Sequence, residues 1–202
     1  MHKKIRIPGF LSLLILAYIL WYNVFKFSDF LYVMLISSFV LAVLGVIFGA
    51  DIGLKVNKLE AVLIILETAL MYFLFWILRF IANFFEPLRE GIEDIYRLMD
   101  RYDFVLLIIV LMLIGIFEEI FWRGFVTKAL VDSIDNPVIA LTISSAIYSL
   151  IYLYTMNIVL VISAFIIGLI FSVTYFITGK VTTTMYIHML WTPLIFAILP
   201  LN

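Results

Sequence analysis

Seven apolar stretches of about 20 residues follow one another along this chain, at residues 8–25, 30–50, 60–85, 104–124, 137–155, 158–178 and 181–200. Nothing else in the sequence limits its fold as strongly. An α-helix rises about 1.5 Å per residue, so roughly 20 apolar residues cross the ~30 Å hydrocarbon core of a bilayer. In lipid each backbone N–H and C=O must be satisfied within the protein, which selects helices for segments this long and continuous. Composition points the same way. Of the 202 residues, 66% are apolar and 13% charged, whereas a soluble domain carries about 25% charge. The expected fold is therefore all-α, a polytopic transmembrane bundle of about seven spans. It is read as a single integral membrane domain over 1–202, with N-terminal spans in 1–103 and a core in 104–200. No stretch suits a soluble domain, and no internal repeat suggests a transporter built from duplicated halves.

The longest polar interruption runs from Glu86 to Asp103 and holds six acids and three arginines. Within it Leu88, Ile92, Ile95 and Met99 recur at helical spacing, and Pro87 suits a first helical turn. That pattern predicts an amphipathic helix lying at the membrane surface. At the N-terminus, Lys3, Lys4 and Arg6 precede the first apolar run without a small-residue cleavage site, so the run is read as a retained membrane helix. Lys55, Lys58, Lys128 and Lys180 then fall on the same side as those three, while Lys26, Arg89, Arg97 and Arg101 fall on the other. The positive-inside bias places the N-terminus in the cytoplasm. A net charge of -1 supplies no basic surface for nucleic acid. The absence of cysteine excludes disulfides and thiol chemistry. The lipid bilayer is the expected partner.

Charge inside a bilayer is costly, so each ionisable residue within a span is a functional candidate. Glu118 and Glu119 lie fourteen and fifteen residues into the span that begins near Phe104, or about 9 Å from the cytoplasmic boundary. His188 and Glu67, counted from the ends of their own spans, come out about 10 Å deep. Three helices thus bring titratable groups to one plane. Adjacent glutamates point about 100° apart and need different roles. Arg123, four residues after Glu119, suits an ion pair at the cytoplasmic rim. That would leave Glu118 to face a polar cavity as a base. Glu67 is open to either packing or function. Thr192 follows His188 by one turn, and Pro193 frees the carbonyl of Met189. A neutral imidazole N–H beside a hydroxyl could donate to a developing oxyanion.

The string Glu118-Glu119-Ile-Phe-Trp-Arg123 resembles the Glu-Glu-x-x-x-Arg motif of the CPBP family. That family comprises CAAX proteases and bacteriocin-processing enzymes, including the type II CAAX prenyl endopeptidase. Tyr148-Ser-Leu-Ile-Tyr152 resembles its Phe-x-x-x-His motif with both named positions tyrosine. His188-Met-Leu-Trp-Thr192 resembles its His-x-x-x-Asn motif with threonine at the end. The resemblance covers about residues 104–200 and implies an intramembrane endopeptidase acting on a peptide or lipidated protein substrate, with a metal-free, cofactor-free glutamate mechanism. On that pattern Glu118 activates water, Glu119 with Arg123 shapes the site, and His188 holds the oxyanion. Tyr152 stands where the family's second histidine assists the water, although helix arithmetic from Pro137 sets it ~22 Å deep. Thr192 keeps one donor where asparagine has two.

Two other readings compete with the protease. The tyrosine and threonine replacements suit a catalytically impaired relative that binds membrane proteins or lipids. The buried acids would equally suit a proton or ion carrier. A zinc site from two Glu and one His is disfavoured, because adjacent carboxylates on one helix diverge.

Overall fold

The apolar runs become helices whose starts are marked by short polar side chains. In this computed structural model, which describes residues 7–27, 29–50, 52–53 and 55–201, α1 spans Ile7–Val24, α2 Phe30–Ile47, α3 Lys58–Ala82, and α4 Glu86–Met99. Helix α5 (Phe104–Phe121) continues through a π-helical turn, Trp122–Thr127, into α6 (Lys128–Ser133). Then come α7 (Pro137–Leu150), a 3₁₀ turn (Leu153–Thr155), α8 (Ile158–Thr178), and α9 (Val181–Pro193) with a second π-helical turn, Leu194–Ile198. Asn57 and Glu60 form a reciprocal capping box on α3, each bond 2.9 Å. Asp103, Asn136 and Asn157 accept backbone N–H groups at the starts of α5, α7 and α8. These bonds satisfy donors that a helix N-terminus leaves orphaned. Gly179, in the left-handed region with φ 67°, ends α8.

The fold is an all-helical polytopic bundle. Among the described residues six helical segments are long and apolar enough to cross a membrane, and α1 is a shorter apolar helix beside them. The expected seven spans are therefore six of full length and one short. The basic residues Lys3, Lys4 and Arg6 used to orient the chain lie outside the described residues. Lys180, at the start of α9, pairs with Glu60 at the start of α3 at 2.6 Å, so these ends of the bundle coincide.

Helix α5 runs through the middle, packed against α2 on one side and α9 on the other, while α7 and α8 form a second tight pair. Glycine makes both approaches possible. A Cβ on Gly115 of α5 would stand 3.0 Å from the His188 carbonyl carbon of α9, and one on Gly168 of α8 would stand 3.2 Å from Ser145 Cα of α7. Without a strong hydrophobic drive between helices in lipid, such small-residue contacts are how backbones draw together. As expected, α4 is amphipathic, with Gly91, Tyr96 and Met99 buried. The Tyr96 hydroxyl donates to the Ile195 carbonyl at 2.9 Å and accepts from the Leu201 N–H at 2.9 Å. Tyr96 thereby ties α4 to the segment after α9. Burial pushes its phenol up to about 12, against a smaller opposing effect of the Leu201 N–H.

Candidate active site

Helix α5 delivers Glu118 and Glu119 one turn past the Gly115 crossing, so both carboxylates emerge where α7, α8 and α9 converge. They diverge as helical geometry requires. Glu119 turns toward α9 and its own continuation. Its Oε1 accepts from Arg123 Nη1 at 2.9 Å and lies 3.0 Å from His188 Nδ1. Arg123 Nη2 donates to the carbonyls of Ile167 at 3.5 Å and Gly168 at 3.4 Å on α8. Its guanidinium sits between the rings of Tyr148 and Phe171, 4.9 and 5.2 Å from their centroids. Flat, delocalised and weakly hydrated, guanidinium suits such a stacked and buried place better than ammonium does. The expected i,i+4 pair is thus present, and it is buried. Glu119 is 0% and Arg123 1% exposed, locked in the centre of the bundle.

Glu118 faces the other way. Its Oε2 accepts from the Tyr148 hydroxyl of α7 at 2.7 Å, and no group among the described residues bonds its Oε1. A cavity of about 270 Å³ opens beside it, with Glu118, Tyr148, Tyr152, His188 and Thr192 on its wall. The remainder of that wall is mainly hydrocarbon and aromatic, from Met34, Phe75, Ile114 and Trp191 as far as Arg79 and Tyr96 by α4. The expectation of a polar cavity is corrected: polar groups occupy one patch of an apolar chamber.

His188 also departs from expectation. A carboxylate already engaged by Arg123 has no proton to offer, so the imidazole Nδ1 facing it carries the hydrogen. In the neutral ring Nε2 is then an acceptor. His188 could donate into the cavity only as imidazolium.

Two further candidates take unexpected partners. The Thr192 hydroxyl donates to the His188 carbonyl in its own helix at 3.0 Å, so its one hydrogen is already used. Tyr152 lies past the end of α7 and reaches the cavity wall despite its reckoned depth, its ring 6.1 Å from that of Tyr148. The residue that bonds Glu118 is Tyr148, one turn earlier. The Phe-like place it occupies in the motif hid that role, and its i,i+4 relation to Tyr152 was the available clue. Glu67 accepts from the Thr174 hydroxyl at 2.8 and 2.9 Å and lies away from the cavity wall. Among the described residues no set of three His, Asp or Glu side chains is grouped to hold a metal ion.

Residues 100–194 match the family model described as type II CAAX prenyl endopeptidase Rce1-like. This stretch of the chain is similar to that family. No curated protein and no solved structure matches. The Rce1-like segment contains the acidic doublet, both tyrosines and His188, and it bears out the resemblance to the CAAX proteases. That similarity and the long apolar helices make the chain a multi-pass integral membrane protein.

Proposed function

We propose that this protein is an intramembrane endopeptidase in which Glu118 activates water for attack on a peptide bond, near the cytoplasmic face of the membrane. The observation that carries the reading is the buried, unbonded Oε1 of Glu118 on the wall of a cavity it shares with His188. Carboxylate Oε1 takes a proton from water as the water oxygen bonds to the scissile carbonyl carbon. The carbonyl π pair moves onto its oxygen, where imidazolium His188 stabilises it by charge and hydrogen bond. The proton on Glu118 then passes to the amide nitrogen as the C–N bond breaks. Glu119 fixes the His188 ring through Nδ1, and Arg123 holds Glu119 in place. Such an arrangement needs no metal or cofactor.

The apolar chamber suits a lipidated or membrane-embedded substrate, and a prenylated peptide is the first choice given the family. The N-terminus would then lie in the cytoplasm, on the same side as Lys55, Lys58 and Lys180. The test uses purified full-length protein in detergent micelles with a quenched-fluorescent peptide carrying a prenylated CAAX sequence. Cleavage by the parent and its loss by at least about 100-fold in Glu118→Gln is the expected result. Equal cleavage by both would remove Glu118 as the base. The used-up Thr192 hydrogen favours one alternative, a binding protein derived from such enzymes. Binding of that peptide without turnover by the parent would establish it. A proton or ion carrier would instead show pH-gradient-driven flux in proteoliposomes.

A further inference from the structure

The side chain that bonds Glu118 is a phenol of α7. The Tyr148 hydroxyl donates to Glu118 Oε2 at 2.7 Å, leaving Oε1 as the free oxygen. The ring that carries it is held on several sides. Tyr148 is buried, its Cδ1 would stand 3.2 Å from a Cβ on Gly168, and its ring meets Trp122 edge-on at 5.1 Å. Its face carries the Arg123 guanidinium. The same cation therefore binds Glu119 directly and supports Glu118 through the ring that bonds it. Tyr152 reaches this cluster through Tyr148, which it meets edge to face and through its hydroxyl, and it makes no direct bond to Glu118 among the described residues.

We propose that Tyr148 is the positioning residue of the base: it fixes the Glu118 carboxylate by one oxygen so that the other is presented to the attacking water. This rests on the reading of Glu118 as the base. A carboxylate held at one oxygen cannot rotate its second oxygen away from the cavity, and a hydrogen bond to a charged group contributes about 1.5–3 kcal/mol, which corresponds to about 10- to 100-fold. Tyr152 lines the chamber and contacts what occupies it.

Tyr148→Phe removes only the hydroxyl and keeps every ring contact, so it is the informative variant. With the prenylated CAAX peptide in micelles, Tyr148→Phe lowers kcat about 10- to 100-fold with KM within about twofold. Tyr152→Phe loses less in kcat and acts mainly through KM. A kcat loss larger in Tyr152→Phe than in Tyr148→Phe overturns the proposal. A second measurement does not require turnover. The infrared difference between protein with Glu118 and with Glu118→Gln isolates the stretch of this carboxyl group. Repeated in a Tyr148→Phe background, that band shifts, and in a Tyr152→Phe background it stays. An unmoved band in Tyr148→Phe overturns the proposal whatever the kinetics. A parent that never cleaves the peptide, yet whose band moves with Tyr148, refutes the protease reading while upholding Tyr148 as the group that fixes Glu118.

Discussion

Replacing Arg123 with methionine tests the electrostatic centre of the bundle. The guanidinium is 1% exposed and supplies a 2.9 Å bond to Glu119, longer bonds to two α8 carbonyls, and contacts with two aromatic faces. Methionine fills much of the volume and retains apolar contact with Tyr148 and Phe171, but it leaves Glu119 buried with only His188 as partner. Breaking a buried pair at one end costs about 3–5 kcal/mol, mostly through the uncompensated charge left behind. Replacing both ends by neutral groups costs far less, and for some buried pairs it is neutral or stabilising. Reversible unfolding in mixed micelles, by titration with a denaturing detergent, reads the difference. Arg123→Met should lose about 3–5 kcal/mol, Glu119→Gln a comparable amount, and the double variant much less than their sum. A coupling energy of at least about 2 kcal/mol is expected for groups that share one network. The double variant should recover stability without recovering cleavage, since His188 then lacks its carboxylate. If Arg123→Met cost under about 1 kcal/mol, as an exposed pair would, the assigned burial and pairing would be wrong.

Gly115→Ala places a methyl 3.0 Å from the His188 carbonyl carbon. It should destabilise by about 1–3 kcal/mol in the same unfolding assay and lower cleavage by moving His188, whereas parent-like behaviour would deny the close α5–α9 crossing. Because the Thr192 hydroxyl is bonded to its own helix, Thr192→Val should reduce kcat by less than about tenfold. A fall of 10²- to 10³-fold, the usual effect of losing an oxyanion donor, would show that it donates to substrate. The Tyr96 phenol, near 10 in the unfolded chain and about 12 when folded, is raised by folding. Its contribution is therefore full below about pH 10 and disappears as pH rises through about 12, amounting to at most about 3 kcal/mol. Unfolding followed from pH 9 to 12 should show this loss in the parent and a shallower one in Tyr96→Phe; identical profiles would contradict it.

The span count and the amphipathic α4 were legible because both depend on local hydrophobic pattern. The Glu119–Arg123 pair was legible for the same reason, being set by i,i+4 spacing within one helix. What spacing could not convey was burial: the pair is enclosed because α8 and α9 pack around it. Tyr148 and Tyr152 are spaced as one face of a continuous helix would be, but α7 ends at Leu150, and only tertiary packing decides which hydroxyl meets Glu118. The tautomer of His188 depends on Glu119 Oε1 serving two donors, a matter of tertiary geometry. Thr192 is different. Threonine often bonds the carbonyl four residues back, and that local habit was readable without any structure. Glu67 found its partner in Thr174, 107 residues away, a pairing that no periodicity reveals.

The π-helical turn from Trp122 to Thr127 has a consequence for how this chain tolerates length changes. A π turn amounts to one extra residue accommodated within an α-helix. Deleting one of residues 124–127 lets the backbone relax into an unbroken α-helix whose continuation keeps its bearing on the acidic doublet, whereas a deletion in regular α-helix turns everything beyond it by about 100°. Lys128 and the α6 surface then keep their neighbours. A scan of single deletions through residues 112–133 should therefore find its mildest positions in this part of the widened turn.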